Sequence, residues 1–538
     1  MSHPMDPRRR HLLRLMGMVG TGTALSGLMK SFAQDMQQCS DTDVPSDNPM
    51  NCSPPAPSGP PVPFTPPTGP TYPRKSAFDL TPREVDRFRA AYQAMRDLTQ
   101  SNPQDPRGWL QQSAVHCWYC GGGTDALSGP EIHFGWFFLP WHRAYLYFHE
   151  RMLGQLIDDP TFRLPYWDWD RFGMTPSRQA MPPIYTQGNL SSNSLNDPFR
   201  GASPIQQMPF TCSNPYLTYR VLSQSSFETF GGVPNTGNPR NQGQLEATQH
   251  DRIHNFVGLG VDAQGKFNPA YQPLCGADMG DLSTAARDPI FFAHHGNIDR
   301  FWDMWKNFQP GRENPTDDFW QGQGFLFYDE NARWVSIQVS DVLDTRNLGY
   351  TYASLQTSLP PKKPPLTAPK LDIESAVVVS GKNGIPLKPN GNTYKVPLKY
   401  TKIKNPSPKK YFLKIQGIQI APDDSAQAFV FLNAADNPAL ELGGGDISQG
   451  VTPSTLQQAI ASSSYLGSIG SVRSRSSLVH LHKNHVFGVT LEVPLDALYL
   501  TLRKQRIIVS IVPVNSLGQP AGGDISFQSI VFEARDPL

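Results

Sequence analysis

Six histidines stand in two separated stretches of this chain, three to each. His116 precedes the segment EIHFGWFFLPWHRAYLYFHE, which carries His133 and His142. The second stretch runs from EATQHDRIHNF to RDPIFFAHHGNIDRFW and carries His250, His254 and His295. Two sets of three imidazoles suit a pair of metal ions that share one small ligand. Imidazole serves copper, zinc, iron and nickel alike, so donor type alone does not choose the metal. His250 and His254 are four apart, which on a helix puts them on one face, one turn apart, where they can share an ion. Glu246, four before His250, shares that face and brings a carboxylate to the pocket. His133 and His142 are nine apart and fall on opposite faces of a straight helix. Only His142 belongs to that helix. His133 comes from the chain before Pro140 or from a break in the helix, and His116 joins from another element.

His294 and His295 diverge by about 100° on a helix, so one of the two is the ligand. Asp299, one turn after His295, is placed to orient an imidazole from behind. Phe291, one turn before it, is placed to wall the pocket. His149 and His294 read as structural, and His480, His482 and His485 as surface or packing residues. A zinc or redox reading of Cys117 and Cys120 lacks a second pair. A dizinc or di-iron hydrolase would normally bring carboxylate ligands, and this set is all imidazole.

The positioning elements are marked by local signals. Thr81 and Pro82 open a helix over TPREVDRFRAAYQAMRDLTQ, as N-cap and first helical residue. A second helix ends in GWLQQSAVHC and delivers His116. A third runs from Pro140 to about Leu156. Residues 164–250 read as a long polar connection, with LPYWDWD as a packed aromatic corner. QLEATQHDRIHNFVG returns to helix. RDPIFFAHHGNIDRFWDMWKNF follows, with Asp288 as N-cap and Pro289 next. FLFYDENARWVSIQVSDVLD reads as strand, turn, and strand or short helix. SLPPKKPPLTAPK is a stiff linker. Beyond it, short alternating segments such as YFLKIQGIQI, AFVFLN and RIIVSIVPV predict an all-β module, a sandwich.

The chain has 538 residues and a formal net charge of +1, with no basic stripe or polybasic tail, which speaks against nucleic acid or acidic lipid as partner. RRRHLLRLMG (Arg8 to Gly17) precedes a modest apolar stretch, Leu12 to Met29, and reads as a twin-arginine export leader ending at Ala33. Its glycines and threonines argue against a membrane helix. A chloroplast-type transit peptide fits less well, because the lead is short and not serine-rich. Export to an oxidising compartment permits disulfides among Cys39, Cys52, Cys117, Cys212 and Cys275.

HFGWFFLPWHRAYLYFHE and DPIFFAHHGNID resemble the two copper signatures of tyrosinases and catechol oxidases, the type-3 copper proteins. VHCWYC, DFWQGQGFLFYDENARW and LGYTY resemble the plant-type polyphenol oxidases. The resemblance covers most of residues 80–538 and, with the leader, suggests a bacterial member. It implies an α+β multidomain protein with a mainly helical core, in which a four-helix bundle holds two coppers, followed by a C-terminal β-sandwich. The expected divisions are a signal peptide at 1–33, an irregular arm at 34–75, the copper domain at 76–314, a connecting segment at 315–357, the linker at 358–370 and a shielding domain at 371–538.

The same resemblance implies that His116, His133 and His142 bind one copper and His250, His254 and His295 the other. Cys120 would form a thioether to His133. Cys117 would be disulfide-bonded, to Cys52 or Cys39, and a bridge between Cys212 and Cys275 is a further expectation. Glu246 would hold a catalytic water, oriented partly by Asp251, and act as base. Leu282, Phe291 and Asn255 would line the substrate pocket, Leu282 leaving more room than the bulkier phenylalanine of many plant enzymes. The implied activity is O2-dependent hydroxylation of monophenols to o-diphenols and oxidation of o-diphenols to o-quinones. The alternatives are a catechol oxidase limited to diphenols and a haemocyanin-like O2 carrier. The implied C-terminal module covers the copper pocket until cleavage between Lys362 and Lys370.

Overall fold

The fold is taken from a computed structural model. It describes residues 54–120, 132–202, 204–234, 240–259, 278–361 and, in the C-terminal third, 373–379, 385–386, 394–402, 410–420, 427–432, 453–462, 464–472, 485–494, 507–514 and 525–535. The leader, most of the linker, Cys39, Cys52, Cys275 and the side chains of His480, His482 and His485 lie outside the described residues.

Helix α1 (Pro82–Ser101) starts as its sequence dictates. The Thr81 side chain accepts from the Glu84 amide while Glu84 reaches back to the Thr81 amide, which satisfies two orphan donors. Phe88, Ala91, Tyr92 and Met95 bury its inner face. Helix α2 (Trp109–Cys120) carries His116 near its C-terminal end. Helix α3 (Phe138–Leu156) is buried on every side from Phe138 to Glu150, as the central rod of a core must be. The connection at 164–250 is less irregular than its composition suggests. It holds α4 (Pro215–Leu222), capped by the Asn214 side chain, and short helical turns at Pro183–Thr186 and Phe227–Phe230. Leu164, Tyr166, Trp167 and Trp169 form the expected aromatic corner, all buried.

Glu246–His250 is a π-turn rather than regular helix, and it runs straight into α5 (Asp251–Leu259). The expected four-residue phase between Glu246 and His250 therefore does not hold, since a π-turn takes more residues per revolution. Helix α6 (Ile290–Phe308) begins one residue later than expected, with Pro289 rather than Asp288 at the N-cap and no side-chain cap there, although Asp288 Oδ1 accepts from the Ile290 amide at 2.9 Å.

Two small sheets flank the helices. Strand β1 (Val62–Pro63) lies beside β5 (Trp334–Gln338), which forms a hairpin with β4 (Gly324–Tyr328). Strand β2 (Tyr72–Arg74) pairs in parallel with β6 (Tyr350–Tyr352). Strand β3 (Arg240–Gln242) joins the C-terminal sheet instead.

That sheet contains β7 (Ile373–Val379), β8 (Ile385–Pro386), β9 (Tyr394–Lys402), β10 (Lys410–Ile420), β11 (Gln427–Leu432), β12 (Tyr465–Gly470), β13 (His485–Glu492), β14 (Ile507–Val514), β15 (Ile525–Phe527) and β16 (Ser529–Arg535). The main hydrogen-bonded path is β12-β11-β14-β9-β7-β16-β10-β13-β3. It is one continuous path, where a sandwich predicts two. Strand β9 makes the join: Tyr394 to Leu398 pair with β14, while Lys399, Tyr400 and Lys402 pair with β7. Leu413 and Ile415 of one half share a single apolar cluster with Val430 and Val509 of the other. The opposite face of β11, Phe429 and Phe431, packs with Leu456 and Ile460 of α7 (Pro453–Ile460) and with Leu217 of α4. Burial on both faces makes β11 apolar from Ala428 to Leu432.

A buried ionic cluster joins β2 and β6 to the helices. Arg74 Nε donates to Glu150 Oε2 at 2.8 Å, and Arg143 Nε donates to Asp299 Oδ1 at 2.5 Å. Tyr350 Oη donates to Asp299 Oδ2 at 2.6 Å, and Tyr352 Oη donates to the same oxygen. This corrects the expectation for Asp299. Its carboxylate points away from His295 to Arg74, Arg143 and the two tyrosines, because two buried guanidiniums require compensation more than an imidazole does. Burial alone would raise the Asp299 carboxyl; Arg143, Arg74 and the tyrosine hydroxyls outweigh it and hold it below the ordinary range.

Candidate metal centre

The six imidazoles meet in the interior. On the first side the His116 and His133 rings are 5.3 Å apart, and the His142 ring lies 5.5 and 5.2 Å from them. On the second side His250 and His254 are 4.5 Å apart, with His295 at 4.9 and 5.4 Å. His142 stacks on His295 at 4.3 Å and bridges the two sides. All six are buried.

Each element contributes as its geometry allows. His116 comes from α2, His142 from α3, His250 from the π-turn, His254 from α5 and His295 from α6. His133 comes from irregular chain, the reading that its phase with His142 favoured. The next residue, Phe134, has a φ of 57°, a left-handed conformation that costs a bulky residue roughly 1–2 kcal/mol. Two contacts hold it there. Its amide donates to Glu246 Oε1 at 2.8 Å, and its ring packs on Phe487 of β13 at 5.0 Å.

Hydrogen bonds fix the ring orientations. The Nδ1 atoms of His116, His142 and His254 lie 2.9, 2.8 and 2.8 Å from the carbonyl oxygens of Leu282, Phe138 and Met279. His250 Nδ1 instead faces Asp251 Oδ1 at 2.8 Å. A donor proton at Nδ1 leaves the Nε2 lone pair for a metal. Among the described residues the buried Nε2 atoms of His142 and His250 have no hydrogen-bond partner, and those of His254 and His295 face each other at 3.1 Å. Burial pushes the imidazoles of His116, His142, His250 and His295 well below their ordinary range, and His254 down to about 3. They are neutral near pH 7, as ligands must be. An all-imidazole, buried, paired set fits a copper pair.

Some expected residues stand elsewhere than the sequence suggested. His294 falls into a tight group with His250, His254 and His295, so it is closer to the centre than a purely structural histidine. Its ring meets Trp169 and the second-side imidazoles, whereas His295 also meets His142, so His295 is the ring between the sides. Asp251 does not present its carboxylate to the pocket. One oxygen faces His250, and the other accepts from Gln242 Nε2 at 2.7 Å. The Asn255 amide donates to Ser471 O at 3.0 Å, so it meets the C-terminal chain rather than open pocket. Phe291 walls the centre as expected, 4.9 Å from His116 and 4.1 Å from His295. Leu282 is buried against Cys120 and Val472. No sequence signal marked Val472, because its place depends on a long-range docking.

Cys120 Sγ is 3.3 Å from His116 Nδ1 and 3.7 Å from His133 Nδ1. Cys117 is disulfide-bonded, to a cysteine outside the described residues. Cys212 is a buried thiol, which corrects the expected bridge to Cys275; burial pushes it up to about 12.

The family model described as the common central domain of tyrosinase matches residues 106–221 and 188–308, and the polyphenol oxidase middle domain matches 314–364. The chloroplastic polyphenol oxidase of Malus domestica is 32% identical over 472 residues, covering 79% of this chain and 75% of that protein. The solved structure of a latent aurone synthase (polyphenol oxidase) superposes with a TM-score of 0.69 at 25% identity, over 91% of this chain and 94% of that one. Latent apple tyrosinase gives 0.66 at 28%, over 88% and 99%.

These relatives correct the reading of the leader. Polyphenol oxidases of Malus domestica, Solanum lycopersicum, Vitis vinifera and Ipomoea batatas are all named chloroplastic, which points to plastid targeting rather than bacterial twin-arginine export. An arginine run before a modest apolar stretch is too short a pattern to fix the compartment. Among the described residues no helix is long and apolar enough to cross a membrane. With the imidazole pairing, the long alignment and the shared fold in agreement, this chain belongs to the polyphenol oxidase family, enzymes of the tyrosinase and catechol oxidase type.

Proposed function

We propose that this chain hydroxylates monophenols and oxidises the resulting o-diphenols to o-quinones. His116, His133 and His142 would hold one copper, and His250, His254 and His295 the other, within a bundle of the helices that carry them. The supporting observation is the convergence of six buried imidazoles, four of them oriented through Nδ1. Bound copper supplies the redox chemistry with O2. The protein binds and flattens the phenol against Phe291, excludes water and moves its proton. Glu246 is the nearby carboxylate suited to that last task, because imidazoles that hold metal cannot serve.

Glu246→Gln tests the assignment. The amide oxygen can still accept from the Phe134 amide, so the backbone under His133 is preserved. Monophenol turnover should fall roughly 10²–10⁴-fold, the range of a lost general base, while diphenol turnover and copper content persist. Monophenol turnover that survives with both coppers bound would refute the base.

The Cys120–His133 thioether belongs to the same proposal. Its C–S bond replaces one S–H and one ring C–H, with O2 as the oxidant. Loading the chain, its disulfides left intact, with copper in air should remove the mass of two hydrogens, and Cys120→Ser should abolish that loss. An unchanged intact mass means no thioether.

The C-terminal β-module, proposed to be a sandwich-like cover, acts as an intramolecular lid. Val472 against Leu282 and Cys120, and Asn255 bonded to Ser471, support this reading.

A further inference from the structure

His250 is held differently from the other imidazoles with fixed Nδ1 contacts. Three of those contacts are to backbone carbonyls. The fourth, from His250, is to the Asp251 carboxylate, whose second oxygen takes the Gln242 amide. Gln242 closes β3, and its Cα partner across the parallel pairing is Val489 of β13. The neighbouring Asn241 Nδ2 donates to Thr490 Oγ1 at 2.8 Å. The C-terminal module also closes on Asp251 from two other strands. Gln427 Nε2 of β11 donates to the Asp251 carbonyl at 3.4 Å. Gly470 of β12 lies so near that a methyl group there would sit 2.6 Å from Asp251 Oδ2 and 2.5 Å from the Ala247 carbonyl oxygen.

We propose that Asp251 and Gln242 are positioning residues for His250, and that the C-terminal sheet completes this relay through the strand that bears Gln242. The inference rests on His250 being a metal ligand. Its content is separate from the module's role as a cover. The carboxylate accepts the Nδ1 proton of His250, which fixes the tautomer that offers Nε2 to the metal. The Gln242 amide holds the carboxylate in that orientation. Strand β13 holds Gln242. The module is therefore part of the second copper's binding apparatus, and the same sheet that shuts the pocket also shapes one of its ligands.

The test is competition of the metal-free, full-length chain with a copper(I) chelator, which resolves the affinities of the two sites. Asp251→Ala should weaken one site roughly 10–100-fold, the usual effect of losing a ligand's orienting partner, and leave the other unchanged. Asp251→Asn should restore most of that loss, since its carbonyl oxygen still accepts from His250 Nδ1 and Gln242 can turn its carboxamide to match. Gln242→Leu should weaken the same site and carries the test if Asp251→Ala does not fold. Gly470→Ala, far from every imidazole in sequence, should weaken it too.

Wild-type affinity at both sites in Asp251→Ala, or in Gln242→Leu if that variant carries the test, overturns the relay. So does an Asn variant as weak as the alanine one. Gly470→Ala with unchanged affinities overturns the module's share in it. His250→Ala separates the inference from its premise. If that variant keeps both sites, the ligand assignment fails; if it loses one while Asp251→Ala keeps both, only the relay fails.

Discussion

Asp299→Asn should destabilise the folded chain by roughly 3–5 kcal/mol, the range for removing one partner from a buried ion pair. The substitution preserves shape and removes charge. Arg74 and Arg143 are fully buried, and Asp299 faces both. Glu150 and Asp303 remain, each bonded to one of the two guanidiniums, so the cluster keeps two carboxylates instead of three. Arg143 also lies over the Trp302 ring, 4.0 Å from its centroid, and cannot swing to solvent without opening α6. Chemical denaturation of the metal-free variant measures the loss, and copper titration of the folded fraction measures the site. Both ions should still bind normally, because no imidazole depends on this carboxylate. A stability change below about 1 kcal/mol, as at an exposed pair, would show the cluster to be self-compensating. Loss of one copper without loss of stability would restore the orienting role that the sequence suggested.

Removing the C-terminal module should unmask the phenol site, whereas a nick at 362–370 alone should not. If the closed arrangement is favoured by about 1.4–2.8 kcal/mol, substrate meets a competent site in only roughly one chain in 10–100, and kcat/KM rises by that factor on removal. The module is held by more than its tether. Arg252 Nη2 donates to the Ala428 carbonyl at 3.2 Å, and its guanidinium lies 3.7 Å from the Phe429 ring centroid. Gln244 and Ser468 exchange two hydrogen bonds, and Arg535 pairs with Glu228. A nicked chain should elute as one particle and stay slow; a chain ending at 370 should be fast with O2 and a catechol. Equal rates for the truncated and intact chains would sink the idea of a cover. A nicked chain as fast as the truncated one would show that the tether, rather than these contacts, keeps the module closed. The relay through Gln242 adds a condition: the truncated chain should need more copper to reach its full rate.

The parts legible in the sequence are those that local rules govern. Thr81, Pro82 and Glu84 announce α1, and the i,i+4 pair His250 and His254 announces a shared face. The nine-residue gap to His142 pointed His133 toward irregular backbone, and the structure places it there. Strands with alternating or largely apolar segments, such as β10, β11 and β14, were visible. Strand β12 was not, because YLGSIG carries two glycines and a serine and takes its burial from α4, α7 and the π-turn rather than from its own pattern. The π-turn has no propensity signature. Asp299 misled because a carboxylate one turn from a ligand is ambiguous; the deciding partner, Arg143, is 156 positions away. Asp251 and Asn255 misled for the same reason, with partners on β3 and beside β12.

The parallel pair of β2 and β6 has a consequence for how the chain carries load. Tyr72 lies beside Tyr350, so the segment between them leaves the sheet and returns to it at adjacent strands. The backbone enters and exits the helical unit at one clip, with Arg74, Tyr350 and Tyr352 locked to Asp299 behind it. A pull on the chain beyond residue 352 therefore enters α6, where Arg300 holds the carbonyls of Ser354 and Gln356 and Asp299 holds the two tyrosines. The tether thus leans on the helix that bears His295, one turn from that imidazole, while the C-terminal strands meet the imidazole cluster from another side.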